Sequence, residues 1–506
     1  MKFLELLDGV ELTGPGVRDE SAERPEITGI EYDSRRVTPG SLFVAMRGET
    51  SDGNRFIDQA IARGAVAVVT DSDPEPKGVD WARVAHGRQA LATLSANFYG
   101  QPAKKLGITG ITGTNGKSTT AFLVEAILRA ADRAGALVGT IEYHVGGKVL
   151  PAPHTTPESL ELQRLFCETV ASGGTEVVME VSSHALAQGR TYGIPFDVAV
   201  FTNLTRDHLD FHKSMDEYFA AKKILFSGCG SPRPRQSVLN ADDEYGVQLA
   251  EFGRQQGSKV FTYGWSKADF RAGRVEITAR GTQFQLNSPE GSIEISSSLI
   301  GRVNVYNILA ASAAAVARGC SLDAVAQGVA TLKSVPGRFE RVDCGQSFTV
   351  VVDYAHTDDA LRNLTSLARD FVKQNSGRVI TVFGCGGDRD RTKRPLMGEA
   401  AGQGSDFVVL TSDNPRSEDP LAIMNDAVVG LQRSGVRYKS EPDRHAAIAL
   451  AIGEARSGDI VLIAGKGHEK FQISRGGTIR FDDREVAANV LYEFGYQKLS
   501  NQEGIA

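Results

Sequence analysis

Short apolar runs, each ending in a polar or glycine-rich turn, alternate along this chain with stretches whose apolar residues recur at helical spacing. Such alternation specifies an α/β fold. The apolar runs become strands buried on both faces of a mostly parallel sheet, and the periodic stretches become the helices that cover it. Three such segments follow one another. In the first, from Gly29 to about Pro102, residues 41–46 and 65–70 read as strands and 55–63 and 87–99 as helices. The second opens with an apolar run at 106–109 and a helical pattern at 121–128, and carries strands at 177–180 and 198–203. The third has strands at 348–352, 379–383, 407–410 and 460–463. Domains are therefore expected at 1–102, 103–336 and 337–506. In open parallel sheets ligands sit at the carboxyl ends of strands, so chemistry is sought in the turns after these runs.

The most specific of those turns is Gly110-Ile111-Thr112-Gly113-Thr114-Asn115-Gly116-Lys117-Ser118-Thr119. Its glycines let backbone N–H groups turn inward around phosphate oxygens. Lys117 adds a point charge, Ser118 offers a hydroxyl to Mg²⁺, and the following helix contributes its positive end. A strict Walker loop has glycine where Ile111 stands, so this is a shortened variant, and binding of a nucleoside triphosphate is expected. Glu180 closes an apolar strand, where a carboxylate can hold Mg²⁺ opposite the loop. Alone it would read as a surface residue, and His208 alone as a hydrogen-bonded structural histidine.

Bulk properties narrow the class. A chain of 506 residues is too long for one core and suits three domains. A net charge of -6 argues against a nucleic-acid binder, and no apolar run approaches membrane-spanning length. Glu5 and Asp8 interrupt the start, so no signal-peptide core is read there. Cys167, Cys229, Cys320, Cys344 and Cys385 are odd in number and never form a C-x-x-C pair, which indicates neither a disulfide framework nor a zinc site and suits a reducing cytoplasm.

Taken together, four stretches resemble the motifs of the Mur ligases, in the family's order and over nearly the whole chain. They are Gly113-Thr114-Asn115-Gly116-Lys117-Ser118, Glu180-Val181-Ser182-Ser183-His184, Asn203-Leu204-Thr205-Arg206-Asp207-His208-Leu209-Asp210 and Gly301-Arg302-Val303-Asn304-Val305-Tyr306-Asn307. The resemblance implies an N-terminal uridine-binding α/β domain, a central P-loop ATPase-like parallel-sheet domain and a C-terminal Rossmann-like domain. It implies ATP and Mg²⁺ as cofactors, and a reaction in which a substrate carboxylate is phosphorylated and an amine captures the acyl phosphate. Such chemistry rests mainly on positioning and electrostatic stabilisation. By resemblance, Gly113, Thr114, Asn115, Gly116, Lys117, Ser118 and Thr119 hold the phosphates, with Lys117 on the β- and γ-groups. Ser118 and Glu180 hold one Mg²⁺, and His208 with Lys222 a second. Lys222 matches the lysine that is carbamylated in this family; alone it reads as an exposed helical lysine. Asn304 and Asn307, three apart on one helical face, are similar to the pair that positions adenine. Arg338 and Asp353 match the remaining nucleotide contacts, so the third domain is expected to close over the second. Asp358 departs from the proline common there, at little expected cost because Thr357 can cap the helix.

Ser34 matches the uridine contact of the first domain, and Asn54 stands where related chains often have histidine. Thr155, Thr156, Ser182, Gln188 and Arg190 are similar to the family's muramoyl-dipeptide site, although Thr156 can equally be a helix N-cap before Pro157. Asp413-Asn414-Pro415-Arg416 matches the diaminopimelate-adding branch, with Arg389, Gly465 and Glu469 completing the pocket; alone these four residues read as a turn. Meso-2,6-diaminopimelate is lysine with one more carboxylate, which a guanidinium can grip bidentately. The partners so implied are UDP-N-acetylmuramoyl-L-alanyl-D-glutamate and meso-2,6-diaminopimelate, acting on a monomer, with no nucleic acid and no membrane. Two alternatives stand beside this one. A folylpolyglutamate synthase shares the scaffold but lacks the uridine-binding domain and the Asp-Asn-Pro-Arg turn. A regulatory nucleotide switch is suggested only by Ser266-Lys267-Ala268-Asp269, which lacks the asparagine of a guanine-reading motif.

Overall fold

The computed structural model of the protein describes residues 1–13, 25–48, 51–73, 76–278, 280–373 and 376–496; the end of the expected third segment, 497–506, lies outside them. Strands at Gly29–Glu31, Ser41–Ala45, Ala65–Thr70 and Asp80–Arg83 pair in that order, all parallel. The second sheet is built around Gly107–Thr112, flanked by Val198–Phe201 on one side and Glu176–Glu180 on the other. The third orders Glu340–Val342, Thr349–Asp353, Ile460–Ala464, Val379–Phe383, Phe407–Leu410 and Arg437–Ser440, parallel except for its first pair.

Continuous apolar runs became strands buried on both sides, as their composition requires. Val178 faces a core shared with the helices Lys117–Ala130 and Arg302–Ala317, while its neighbours Val177 and Met179 face a second core against Ser159–Ala171 and Met215–Ser227. That is the period-two alternation of a strand between two helical layers. The parallel expectation for the second segment holds in its middle only. Its edges are antiparallel, Phe270–Thr278, Gly281–Ser288 and Gly291–Ser297 at one side and Glu142–Val145 with Lys148–Pro151 at the other. In Gly281–Ser288 buried Phe284 and Leu286 alternate with Gln283, Gln285 and Asn287, which suits a sheet with one face in water.

Boundaries differ in small ways with local causes. The run read as a strand over 198–203 stops at Phe201, because Asn203 turns its carbonyl and side chain onto the N–H groups of Thr114 and Asn115. Residues 55–63 split into a 3₁₀ turn, Gly53–Phe56, and the helix Ile57–Ala62. Thr156 is not an N-cap: the helix begins at Ser159 after Glu158, and the Thr156 hydroxyl donates instead to the Glu180 carbonyl at 2.9 Å. Thr357 does cap its helix, accepting from Ala360 N at 3.2 Å, with Asp358 and Asp359 in the first turn.

One buried ion pair locks the third domain. Arg444, on Arg444–Glu454, donates to both carboxylate oxygens of Asp483 at 2.8 and 2.7 Å, and all of both side chains is shielded from solvent. Its remaining N–H groups reach the carbonyls of Ser412 and Ala464, so the same guanidinium pins the ends of two strands. Arg444→Met is expected to destabilise the protein by about 3–5 kcal/mol, because it leaves Asp483 charged and unpaired. Arg444→Met with Asp483→Leu should recover most of that loss in chemical denaturation.

Candidate functional site

The loop after Gly107–Thr112 rises between the carboxyl ends of its two neighbours, so Ile111 pairs with Glu180 and Thr112 with Phe201. Two glycines let it sit so tightly. Gly113 adopts φ +145°, and a Cβ there would run into the Thr202 hydroxyl; Gly116 adopts φ +87°, against the Asn307 side chain. The helix that follows has no side-chain cap, which leaves its first N–H groups and positive end directed at the space above the loop. Lys117 Nζ lies over that loop, donating to the carbonyls of Gly113 and Thr114 at 3.0 and 2.8 Å.

Beside it, Ser118 Oγ stands 3.1 Å from Glu180 Oε2, and Arg338 Nη2 reaches the same hydroxyl at 3.1 Å from the third domain. Thr140, which the motifs did not single out, fixes the carboxylate: its N–H meets Oε1 at 2.8 Å and its hydroxyl meets Oε2 at 3.0 Å. Serine hydroxyl and carboxylate are hard oxygen donors and fit Mg²⁺. Among the described residues no three His, Cys, Asp or Glu side chains gather to hold a metal alone, so phosphate and water oxygens would complete the shell.

Lys222 is 1% exposed, which removes the reading of a solvated helical lysine. It donates to Gly113 O at 2.8 Å and lies over the Tyr218 ring at 4.5 Å. Burial, reinforced by Lys117, pushes its amine well below the usual lysine range, against the pull of Asp207. His208, at φ +54°, lies edge-on to His184 with its Nε2 3.4 Å from Asp207. Burial holds its imidazole below the usual range despite that carboxylate.

Asn304 and Asn307 share a helical face and are joined by a 3.0 Å hydrogen bond. With Asn115, Thr119, Arg338 and Asp353 they line a cleft of about 340 Å³ between the second and third domains. Asp353 accepts from Phe339 N and Ala355 N at 2.7 and 2.8 Å and so shapes the turn that carries Arg338. The domains meet across this cleft. Asn115 donates to Asp359 at 2.9 Å, Arg206 to Thr392 at 2.6 Å, and Asp207 faces Lys393 at 3.5 Å and His356 at 3.8 Å. Burial opposes charge on Asp207, but His208, Lys393 and His356 outweigh it and hold the carboxyl below the usual range.

The residues matched to a muramoyl dipeptide gather beside Glu180. Thr155 meets Thr140 at 3.1 Å, and Thr156 donates to the Glu180 carbonyl and lies 3.5 Å from Ser182. Arg190 donates to Gln188 Oε1 at 2.8 Å and Thr156 O at 2.9 Å and pairs with Glu158, which Arg88 of the first domain also contacts. Ser34 is buried, donating to Gln59, while its neighbours Tyr32 and Arg36 line a cleft shared with His154, Pro157 and Glu158. Asn54 is spent locally, on Asp52, Asp71 and Thr70.

Arg389, Asp413, Asn414, Pro415, Arg416, Gly465 and Glu469 gather at the carboxyl ends of Phe407–Leu410 and Ile460–Ala464. Among the described residues, Arg416 bonds through its side chain only to carbonyls, Gly387 O at 2.7 Å and Asn414 O at 3.4 Å. Burial and then repulsion from Arg389 lower its affinity for a proton, a strain that an incoming anion would relieve. Asp413 Oδ2 is buried without a partner. Asp269, by contrast, accepts from the N–H and hydroxyl of Thr262, each at 2.8 Å.

The fold thus defines a P-loop α/β protein whose nucleotide cleft closes between two domains. Residues 26–99 match the model of the Mur ligase family catalytic domain, 111–315 the Mur ligase middle domain and 337–467 the Mur ligase glutamate ligase domain. A protein of Solibacter usitatus (strain Ellin6076) named UDP-N-acetylmuramoyl-L-alanyl-D-glutamate--2,6-diaminopimelate ligase is 56% identical, over 98% of this chain and 100% of its own. One of the same name from Geobacillus thermodenitrificans (strain NG80-2) is 48% identical over 95% and 98%. A solved structure of a ligase so named has 34% identity and a TM-score of 0.66, covering 95% of this chain and 98% of that one. The chain belongs to the Mur ligase family.

Proposed function

We propose that this protein is an ATP-dependent amide ligase that joins meso-2,6-diaminopimelate to the γ-carboxylate of D-glutamate in UDP-N-acetylmuramoyl-L-alanyl-D-glutamate, releasing ADP and phosphate. The observation that carries this reading is near-full-length identity with relatives of that name, at 56% and 48%. The three domains are taken as 1–102, 103–336 and 337–506, and the work is assigned to the cytoplasm by a monomer.

The chain's own residues suit each step. Lys117 and the uncapped helix N-terminus offset phosphate charge, and Arg338 adds a guanidinium as the third domain closes. Ser118 and Glu180 would hold Mg²⁺, with His208 and Lys222 near a second ion; the metal supplies Lewis-acid neutralisation of phosphate charge. Burial lowers the Lys222 amine well below the usual lysine range and so favours its neutral form, the form that can take up CO₂ as a carbamate and turn a cation into an anion. Asn304 and Asn307 offer amide groups to adenine. Thr155, Thr156, Ser182, Gln188 and Arg190 lie within one or two side chains of Glu180, so a dipeptide carboxylate held there would face the phosphate loop. Arg416, Arg389, Asp413 and Glu469 provide cationic and anionic partners for the second, distal amino-acid centre of diaminopimelate.

The test is ligation by the purified protein with ATP, Mg²⁺, the UDP-muramoyl dipeptide and either diaminopimelate or L-lysine. Amide formation with diaminopimelate is expected. Product with lysine alone would overturn the substrate, and ATP turnover without any amide would overturn the reaction.

A further inference from the structure

We propose that Lys466 is a positioning residue that sets the specificity of the amino-acid pocket, by fixing the amide orientation of Asn414 and engaging one oxygen of Glu469 so that the other receives the distal ammonium group of the incoming amino acid. The inference rests on the ligase reading above.

Lys466 is fully buried in the turn after Ile460–Ala464. Its Nζ donates to Asn414 Oδ1 at 3.0 Å and to Glu469 Oε2 at 3.2 Å. Asn414 Oδ1 also accepts from Ile473 N at 3.0 Å, so two donors hold that end of the amide as the acceptor. Its Nδ2 is then forced toward Glu469 Oε2, at 2.8 Å. Oε2 is thereby occupied twice, while Oε1 accepts no hydrogen bond among the described residues. Asp413 Oδ2, also without a partner, is a second acceptor in the same pocket. The amino acid thus meets acceptors for an ammonium and, at Arg416 and Arg389, donors for a carboxylate.

A buried carboxylate must stay charged to bind an ammonium. Burial, then repulsion from Asp413, raises Glu469, and Lys466 with Asn414 draws it down. The other groups facing it are Arg416 beside Asp413, Tyr354 after Thr349–Asp353, and Arg444, which is itself paired with Asp483. Among the described residues, Lys466 pairs with Glu469 at 3.2 Å and with no other carboxylate. Removing it leaves the raising influences less opposed, so the Glu469 carboxyl is pushed further up and holds its charge less firmly.

Steady-state ligation by the full chain tests this. Lys466→Met should raise KM for diaminopimelate about tenfold, with kcat and KM for ATP within about twofold. That excess over wild type should shrink as pH rises, because rising pH favours the charged form of Glu469. Glu469→Gln should raise KM as well, and Lys466→Met combined with Glu469→Gln should match Glu469→Gln alone. The combined variant removes both charges of the Lys466–Glu469 pair and leaves neither partner behind, so it serves if Lys466→Met does not fold. A wild-type KM in Lys466→Met, a pH-independent defect, or multiplying effects in the combined variant would overturn the role of Lys466. Wild-type protein inert toward diaminopimelate would overturn the ligase reading itself, and this inference with it.

Discussion

Glu180→Gln is expected to lower the ligation rate by about 10³-fold, at the upper end of what one electrostatic contact in a phosphoryl site contributes. The substitution keeps the shape of the side chain and removes its charge. Glu180 accepts on both oxygens, from Thr140 N–H, Thr140 hydroxyl and Ser118 hydroxyl. A glutamine must turn an NH₂ toward one of those donors, so a stability cost of about 1–3 kcal/mol accompanies the loss of a cation-holding charge. The two effects separate experimentally. Denaturation reports the first, and the Mg²⁺ concentration needed for half-maximal rate reports the second, which should rise sharply. A Glu180→Gln protein with a rate within tenfold of wild type and an unchanged Mg²⁺ requirement would remove Glu180 from the site.

Arg416→Ala is expected to raise KM for diaminopimelate by about 10²–10³-fold with a smaller change in kcat, the usual effect of removing one partner of a half-buried, hydrogen-bonded charge pair. The guanidinium is aimed before any ligand arrives, since Gly387 O holds Nη1 at 2.7 Å and the backbone N–H donates to Ile473 O at 3.0 Å. Its proximity to Arg389 concentrates positive charge where a second carboxylate would lie. The same geometry predicts rejection of L-lysine. Without that carboxylate the half-buried Arg416 guanidinium stays without an anion, a penalty worth about 10⁴-fold in discrimination. Comparable kcat/KM for lysine and diaminopimelate in the wild-type protein, or an unaltered KM in Arg416→Ala, would dissociate Arg416 from recognition.

Much of this architecture was legible because local patterns coincide with global ones. The runs at 379–383 and 407–410 became strands with those limits, since a continuous apolar run bounded by polar turns has few other ways to bury itself. The phosphate loop was legible for the same reason: its glycines, lysine and serine act within ten residues of one another. Thr140 and Lys466 were not, because each works through a residue far along the chain, Thr140 through Glu180 and Lys466 through Asn414. A threonine after a short strand and a lysine between glycines carry no signal of their own. The N-cap assigned to Thr156 failed similarly: a local rule was overridden by the Glu180 carbonyl, which only folding brings near.

The amino-acid sequence by itself determined the α/β alternation and the phosphate loop. These are short-range matters of burial, backbone freedom and side-chain chemistry. Tertiary structure alone decided that Lys222 is buried against Gly113, that Asp207 faces Lys393 and His356 across the cleft, and that Lys466 reaches Asn414. Charges in these places acquire their character from desolvation and from neighbours far along the chain, and neither is present in a chain until its strands have paired and its domains have met.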